Sequence, residues 1–179
     1  MKKHRRKTTG RLSALLSLLL VATMAQPLFQ TRAAENDVTM DGNVTWSYLD
    51  DGSDPAGDSI AAGYDRTSWT KDDYDISAWK TATGPFGAKK GKINDLGGGC
   101  TPKTLLTQYK ADGTTDIEAF FFRTDVTIPD ASKVTKISGS VIYDDAATVY
   151  VNGVKIAGFD DDSITGNLQY GGSNAGDPK

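Results

Sequence analysis

An Asn-Gly pair, Asn152 and Gly153, stands between two short apolar runs, residues 147–151 and residues 154–157. Both central residues of a two-residue type I′ turn need positive φ, which these residue types tolerate best. The pair therefore predicts a β-hairpin with three cross-strand pairs: Val151 with Val154, Tyr150 with Lys155, and Val149 with Ile156. We expect the four branched residues, Val149, Val151, Val154 and Ile156, to share a buried face, and Tyr150 and Lys155 to lie on the outer face. A slip of the register by one residue would expose all four branched side chains, which favours this pairing.

Alternation of apolar and polar residues predicts three further strands, at residues 44–49, 120–128 and 134–143. The second strand has an inward set and an outward set: Phe120, Phe122, Val126 and Ile128 against Arg123, Asp125 and Thr127. The third strand places Ile137, Val141 and Tyr143 inward. Residues 104–109 suggest one helical turn. Many short strands with Gly-rich turns predict an all-β fold, an antiparallel β-sandwich of jelly-roll type.

The start of the chain has the pattern of a signal peptide. A basic segment at residues 2–7 precedes an apolar segment at residues 12–25 that is too short to span a bilayer comfortably. Cleavage is expected after Ala25 or after Ala34, and the polar sequence from Glu35 onward favours the second. We therefore expect a signal peptide at residues 1–34, a polar lead at residues 35–43 and one β-sandwich domain at residues 44–179. After cleavage no membrane association is expected.

Removal of residues 1–34 takes away seven basic residues and no acidic one, so the formal net charge of −3 becomes −10. Such a surface repels polyanions, and a nucleic-acid partner is not expected. The only histidine, His4, leaves with the signal peptide, so the mature chain has no imidazole for a nucleophile pair or a metal site. A carboxylate-based glycosidase stays open. The single cysteine, Cys100, is expected as a buried free thiol.

Two kinds of binding site are suggested by residues 50–75, which are rich in Asp, Gly and Ser. Three aromatic residues in this loop suit a carbohydrate platform, or else they pack beneath the loops: Tyr64, Trp69 and Tyr74. Four carboxylates suit a structural calcium, or else they form solvated turns: Asp50, Asp51, Asp54 and Asp58. A second acidic group, Asp160, Asp161 and Asp162, has the same two interpretations. Neither group has the ligand order of an EF-hand.

Five motifs in a fixed order carry a resemblance to a known family: residues 46–53 (WSYLDDGS), 75–79 (DISAW), 84–87 (GPFG), 121–124 (FFRT) and 144–153 (DDAATVYVNG). In this order residues 44–179 resemble the galactose-binding-like β-sandwich found at the N-terminus of secreted bacterial metallophosphoesterases, including those related to purple acid phosphatases. In that family the catalytic metals are held by a downstream domain, so the resemblance assigns no catalytic residue here. It also implies that the sandwich is truncated at its C-terminal strands, after residues 160–179.

The expected function is that of a non-catalytic accessory module of a larger secreted enzyme, whose metallophosphoesterase domain lies downstream in the same polypeptide. The alternative is a free-standing carbohydrate-binding or cell-surface adhesion module. The expected partners are the downstream catalytic domain and a cell-surface glycan, and the expected location is extracellular. No cofactor is expected in this chain beyond a structural calcium.

Overall fold

The computed structural model of the chain describes residues 40–169. The expected signal peptide, most of the polar lead and residues 170–179 lie outside the described residues. Within residues 40–169 no helix has the length and apolar character that a membrane span requires.

Short strands joined by turns make up most of the regular structure of residues 40–169, with almost no helix. Seven strands follow one another: β1 (Thr45–Leu49), β2 (Lys80–Thr83), β3 (Phe86–Gly87), β4 (Thr104–Leu105), β5 (Phe121–Arg123), β6 (Ala147–Val151) and β7 (Val154–Phe159). Two short 3₁₀ helices span Ser68–Thr70 and Ala131–Lys133. The expected all-β character is confirmed at this level.

The largest sheet has three antiparallel strands in the order β2-β1-β5. Tyr48 of β1 pairs with Phe122 of β5, and Leu49 pairs with Phe121. The Tyr48 ring lies 5.2 Å from Phe86, and Phe86 lies 4.9 Å from Phe122, so these three rings form one cluster. Adjacent residues of β5 thus both contact aromatic rings, since Phe121 packs edge-on against Trp69 at 5.1 Å.

Strand β5 differs from the expected strand at residues 120–128 in its length and in which of its side chains are buried. The strand ends at Arg123, and Val126 and Ile128 are exposed rather than buried. Arg123, expected on a wet face, is only 11% exposed and donates hydrogen bonds to the carbonyl oxygens of Trp69, Lys71 and Asp72. The Arg123 guanidinium holds residues 69–72 against β5, so these residues cover the side of the strand that was predicted to face water.

Two expectations about local structure are wrong. Residues 104–109 do not form a helical turn, because Thr104 and Leu105 form β4, which pairs in parallel with β3. Gly87 of β3 is closely packed by side chains that precede β4. A Cβ added at Gly87 would lie 2.8 Å from Leu96 and 3.0 Å from Pro102. Residues 134–143 form no strand, and Ile137 is 59% exposed. Their alternation is the pattern of a strand, but this segment joins none of the sheets formed within residues 40–169.

The hairpin of β6 and β7 is confirmed at its turn. Asn152 and Gly153 have φ values of 47° and 83°, and Val151 pairs with Val154 and Tyr150 with Lys155. The third expected pair is wrong, because an irregularity between Val149 and Tyr150 pairs Val149 with Ala157 instead of Ile156. An extra residue in one strand of this kind is a β-bulge.

The hairpin face that was expected to be buried is largely exposed, although Val149 on it is half-buried. Val154 is 64% exposed and Ile156 is 50% exposed. On the opposite face, the Tyr150 ring lies 5.9 Å from Trp69 in an edge-on contact. Lys155, on the same face, forms an ion pair of 2.7 Å with the buried Asp161. Polar and aromatic partners thus decided which face of the hairpin packs inward.

Candidate functional site

A cleft of about 740 Å³ lies between the loop after β1 and the segment after β7. We call it the polar cleft. One wall carries Ser53, Asp54, Gly57, Asp58 and Ser59, the other wall is residues 165–169, and Tyr64 also lines the space. The two walls are far apart in sequence, so only folding brings them together.

Side-chain hydrogen bonds shape the first wall. Asp54 Oδ1 accepts from the backbone N–H of Ala56 at 2.8 Å, and Asp58 Oδ1 accepts from that of Ile60 at 3.0 Å. An aspartate that accepts from the backbone two residues later forms an Asx turn, which replaces regular structure in loops. The Asp-rich sequence of this segment therefore makes successive tight turns.

Asp54 also joins the two walls. Its Oδ2 accepts from the Tyr64 hydroxyl at 2.7 Å, and its Oδ1 accepts from the Asn167 amide at 2.8 Å. Asn167 donates as well to the Arg66 carbonyl oxygen at 2.8 Å. Burial, followed by the hydrogen bond to Asp54, raises the pKa of Tyr64 to about 12, so the hydroxyl stays protonated and keeps donating. The Asp54 carboxylate thus accepts three hydrogen bonds, which connect the residues that line the cleft.

The second wall is held by Gln169. Its Oε1 accepts from the backbone N–H and the hydroxyl of Thr165, at 2.8 and 2.9 Å, and from the N–H of Gly166 at 3.2 Å. Its Nε2 donates to the Ser163 carbonyl oxygen at 3.1 Å. Arg66 reaches the same segment through the Ile164 carbonyl oxygen at 3.2 Å. These bonds set the shape of the wall before any ligand binds.

The charge of the cleft is negative. Its lining includes two carboxylates, Asp54 and Asp58, and no lysine or arginine. Apolar surface comes from the Tyr64 ring and from Leu168, which is 44% exposed. A cleft of this kind suits a neutral or cationic ligand that offers hydroxyl or amine donors, and it repels anions.

Of the three aromatic residues expected to bind a ligand, only Tyr64 lines the polar cleft. Trp69 packs against Phe121 and Tyr150, with its ring 6.3 Å from Trp79. Tyr74 lies 6.1 Å from Trp79, and its hydroxyl donates to the Pro55 carbonyl oxygen at 2.6 Å. The geometry of these last two residues therefore matches the alternative of packing beneath the loops, and the three rings form no common platform.

The four carboxylates expected to bind calcium are not brought together. Asp50 is 2% exposed, accepts from Lys80 at 2.7 Å and accepts from the Thr107 N–H at 2.8 Å. Asp51 accepts from the N–H and hydroxyl of Ser53 at 2.8 and 2.6 Å. Asp54 and Asp58 line the cleft. Across residues 40–169, no group of three or more His, Cys, Asp or Glu side chains is placed to hold a metal ion.

The second acidic group is likewise divided. Asp161 accepts from the Thr148 hydroxyl at 2.5 Å and pairs with Lys155, and these two contacts lower its pKa. Asp160 has a φ of 50° and accepts from the Tyr143 hydroxyl at 3.0 Å. Asp161 thus links β6 and β7 to the segment that follows, and Asp160 contacts the segment before β6. The cysteine expected to be buried, Cys100, is only half-buried.

Sequence reasoning did not find Thr165, Asn167 or Gln169. Asn167 and Asp54 are 113 residues apart, and no periodicity or motif marks either of them as a partner of the other. Single polar residues in a loop give no such signal, because their role depends on which distant segment they meet.

Comparisons with protein-family models, with curated proteins and with solved structures found no match to this chain. Its function is therefore inferred from the geometry of the polar cleft and from the motifs in its sequence.

Proposed function

We propose that this chain is a non-catalytic module that binds a glycan in the polar cleft and accompanies a catalytic domain. The observation that supports this most is the position of Asp54, which ties Tyr64 and Asn167 together across the cleft. A site whose walls are fixed before binding loses little conformational entropy when a ligand enters.

A glycan suits the cleft because it offers many hydroxyl groups, each of which donates and accepts hydrogen bonds. The walls supply carboxylate, amide and hydroxyl groups, and the Tyr64 ring supplies an apolar surface for the face of a sugar. With a single ring and an open mouth, we expect weak binding. The lining holds two carboxylates and no lysine or arginine, which disfavours phosphate, so nucleic acid is not expected as a ligand.

The binding is tested by screening the purified domain on a glycan array and titrating the best neutral oligosaccharide by NMR. Tyr64→Phe removes the hydroxyl that donates to Asp54, and we expect it to weaken binding about fivefold, the size of one hydrogen bond. Tyr109→Phe, on a half-buried tyrosine outside the cleft, serves as the matched control. Equal affinity of Tyr64→Phe and the wild type, or no binding to any glycan, contradicts the proposal.

The finer fold that we propose is a jelly-roll β-sandwich of the galactose-binding-like type. Four of the five motifs overlap strands: residues 46–53 begin within β1, residues 84–87 contain β3, residues 121–124 cover β5, and residues 144–153 cover β6. The order of the motifs also supports a secreted metallophosphoesterase as the parent enzyme, and an extracellular location for the module.

The parent enzyme is tested by reading the complete open reading frame. A downstream segment with Asp, His and Asn metal-ligand motifs supports an accessory role, and a natural stop codon directly after Lys179 removes it. The absence of catalysis is tested separately by incubating the purified chain with aryl phosphates and aryl glycosides. Turnover that copurifies with this chain contradicts a non-catalytic role.

A further inference from the structure

We infer that the polar cleft selects glycans that carry free amines, with Asp58 as the residue that binds the ammonium group. This inference rests on the proposed glycan-binding function and adds the class of ligand. It follows from the different roles of the two carboxylates in the cleft.

Asp54 accepts more hydrogen bonds than Asp58 does. Asp54 accepts three hydrogen bonds from Ala56, Tyr64 and Asn167. Asp58 accepts one, from the backbone N–H of Ile60 to its Oδ1. Among the residues that the structure describes, Oδ2 of Asp58 has no hydrogen-bond donor. Asp58 is therefore the carboxylate that has an oxygen left for a ligand.

Asp58 also lacks a cation. The two buried aspartates of residues 40–169, Asp50 and Asp161, each form an ion pair with a lysine. Asp58 forms none within residues 40–169, and the cleft it lines has no basic side chain. A ligand ammonium would supply the counter-charge that this position lacks, through a charge-assisted hydrogen bond.

The charge of the whole domain acts in the same direction. The net charge of −10 after removal of residues 1–34 raises the local concentration of cationic ligands. A sugar hydroxyl in place of the amine also donates to the Asp58 carboxylate, but it brings no positive charge. An acetylated amine removes the charge and adds bulk.

Three β-1,4-linked tetrasaccharides that differ at carbon 2 test this selection: cellotetraose with a hydroxyl, chitotetraose with an acetamide, and the glucosamine tetramer with an amine. Affinities are measured by isothermal titration calorimetry at pH 5.5 and low salt, where the amine is protonated. We expect the glucosamine tetramer to bind about two- to fivefold tighter than cellotetraose, the range of one exposed ion pair. At 0.5 M NaCl this preference should shrink, because salt screens exposed charges.

Asp58→Asn should remove the preference for the amine and leave the affinity for cellotetraose within about twofold. Asp58→Ser is a second variant that keeps a side-chain acceptor for the turn. Asp73→Asn, on an exposed carboxylate outside the cleft, controls for the change in net charge. An NMR spectrum of each variant that matches the spectrum of the wild type shows that the variant is folded.

The outcomes separate the two proposals. Equal binding of all three tetrasaccharides overturns amine selection and leaves the glycan site standing. An amine preference that persists in both Asp58 variants overturns the role of Asp58. Binding of none of the tetrasaccharides, nor of any glycan on the array, overturns the site and the selection together.

Discussion

Replacement of Asp50 by asparagine tests the most buried polar side chain of the described domain. Asp50 is 2% exposed and accepts from two donors, the Lys80 ammonium at 2.7 Å and the Thr107 N–H at 2.8 Å. These two contacts connect the end of β1 to β2 and to the segment after β4. Asparagine has almost the same shape but a single acceptor oxygen.

The cost follows from which donor loses its partner. The backbone N–H of Thr107 is fixed, so we expect the asparagine oxygen to accept from it and Lys80 to turn toward water. A hydrogen bond to a charged group contributes about 1.5–3 kcal/mol. The Lys80 side chain is 56% exposed, which places the loss toward the lower part of that range, at about 2 kcal/mol. For a domain of this size the Tm falls by about 4–8 °C.

The dependence on pH provides a second check. Burial raises the pKa of Asp50, but the hydrogen bonds from Lys80 and Thr107 outweigh burial, and the pKa is lowered from its ordinary value of 3.8. A carboxyl with a lowered pKa in the folded state stabilises the fold fully above its unfolded pKa, and this contribution is lost as pH falls through the folded pKa. The difference between wild type and Asp50→Asn should therefore be full at pH 6 and shrink below pH 3.8.

Urea denaturation followed by tryptophan fluorescence gives the free energy of unfolding at each pH. Asp51→Asn is the matched control, because Asp51 is exposed, accepts its hydrogen bonds from the neighbouring Ser53, and asparagine forms the same kind of turn. We expect it to change stability by less than about 0.5 kcal/mol. A loss below about 0.5 kcal/mol for Asp50→Asn at pH 6, or a loss that does not depend on pH, would refute the reasoning.

Three further substitutions test other contacts. Gly158→Ala puts a Cβ 2.6 Å from the Asp161 Cγ, so thermal denaturation should show a loss of about 1–3 kcal/mol, whereas Gly139→Ala, with no atom within 4 Å of its added Cβ, should be neutral. Arg123→Lys gives up the forked contacts with three carbonyl oxygens and should lose about 2 kcal/mol, with faster tryptic cleavage in residues 69–72; unchanged cleavage would contradict this. Ile156→Thr should change stability by less than about 0.5 kcal/mol, and a loss above about 1.5 kcal/mol would place Ile156 in the core after all.

The polar cleft shows where prediction from sequence stops. The composition of residues 50–75 predicts turns or a binding site, and Tyr64 is one of the residues that the sequence suggests for ligand binding. Trp69 and Tyr74 have the same loop context as Tyr64 but pack under it, because Trp79, Phe121 and Tyr150 come from other parts of the chain. Whether an aromatic residue in a polar loop contacts a ligand or packs into the core depends on those neighbours, which the local sequence does not specify.

The hairpin shows the division most clearly. The sequence by itself determined the turn at Asn152 and Gly153 and the two pairs next to it, because positive φ at two successive residues is a local requirement that few residue types meet. Only the tertiary structure decided which face is buried. Alternation marks two faces of a strand but not their surroundings, and here Trp69 and Asp161 reach the face of Tyr150 and Lys155. Val154 and Ile156, on the other side, are 64% and 50% exposed.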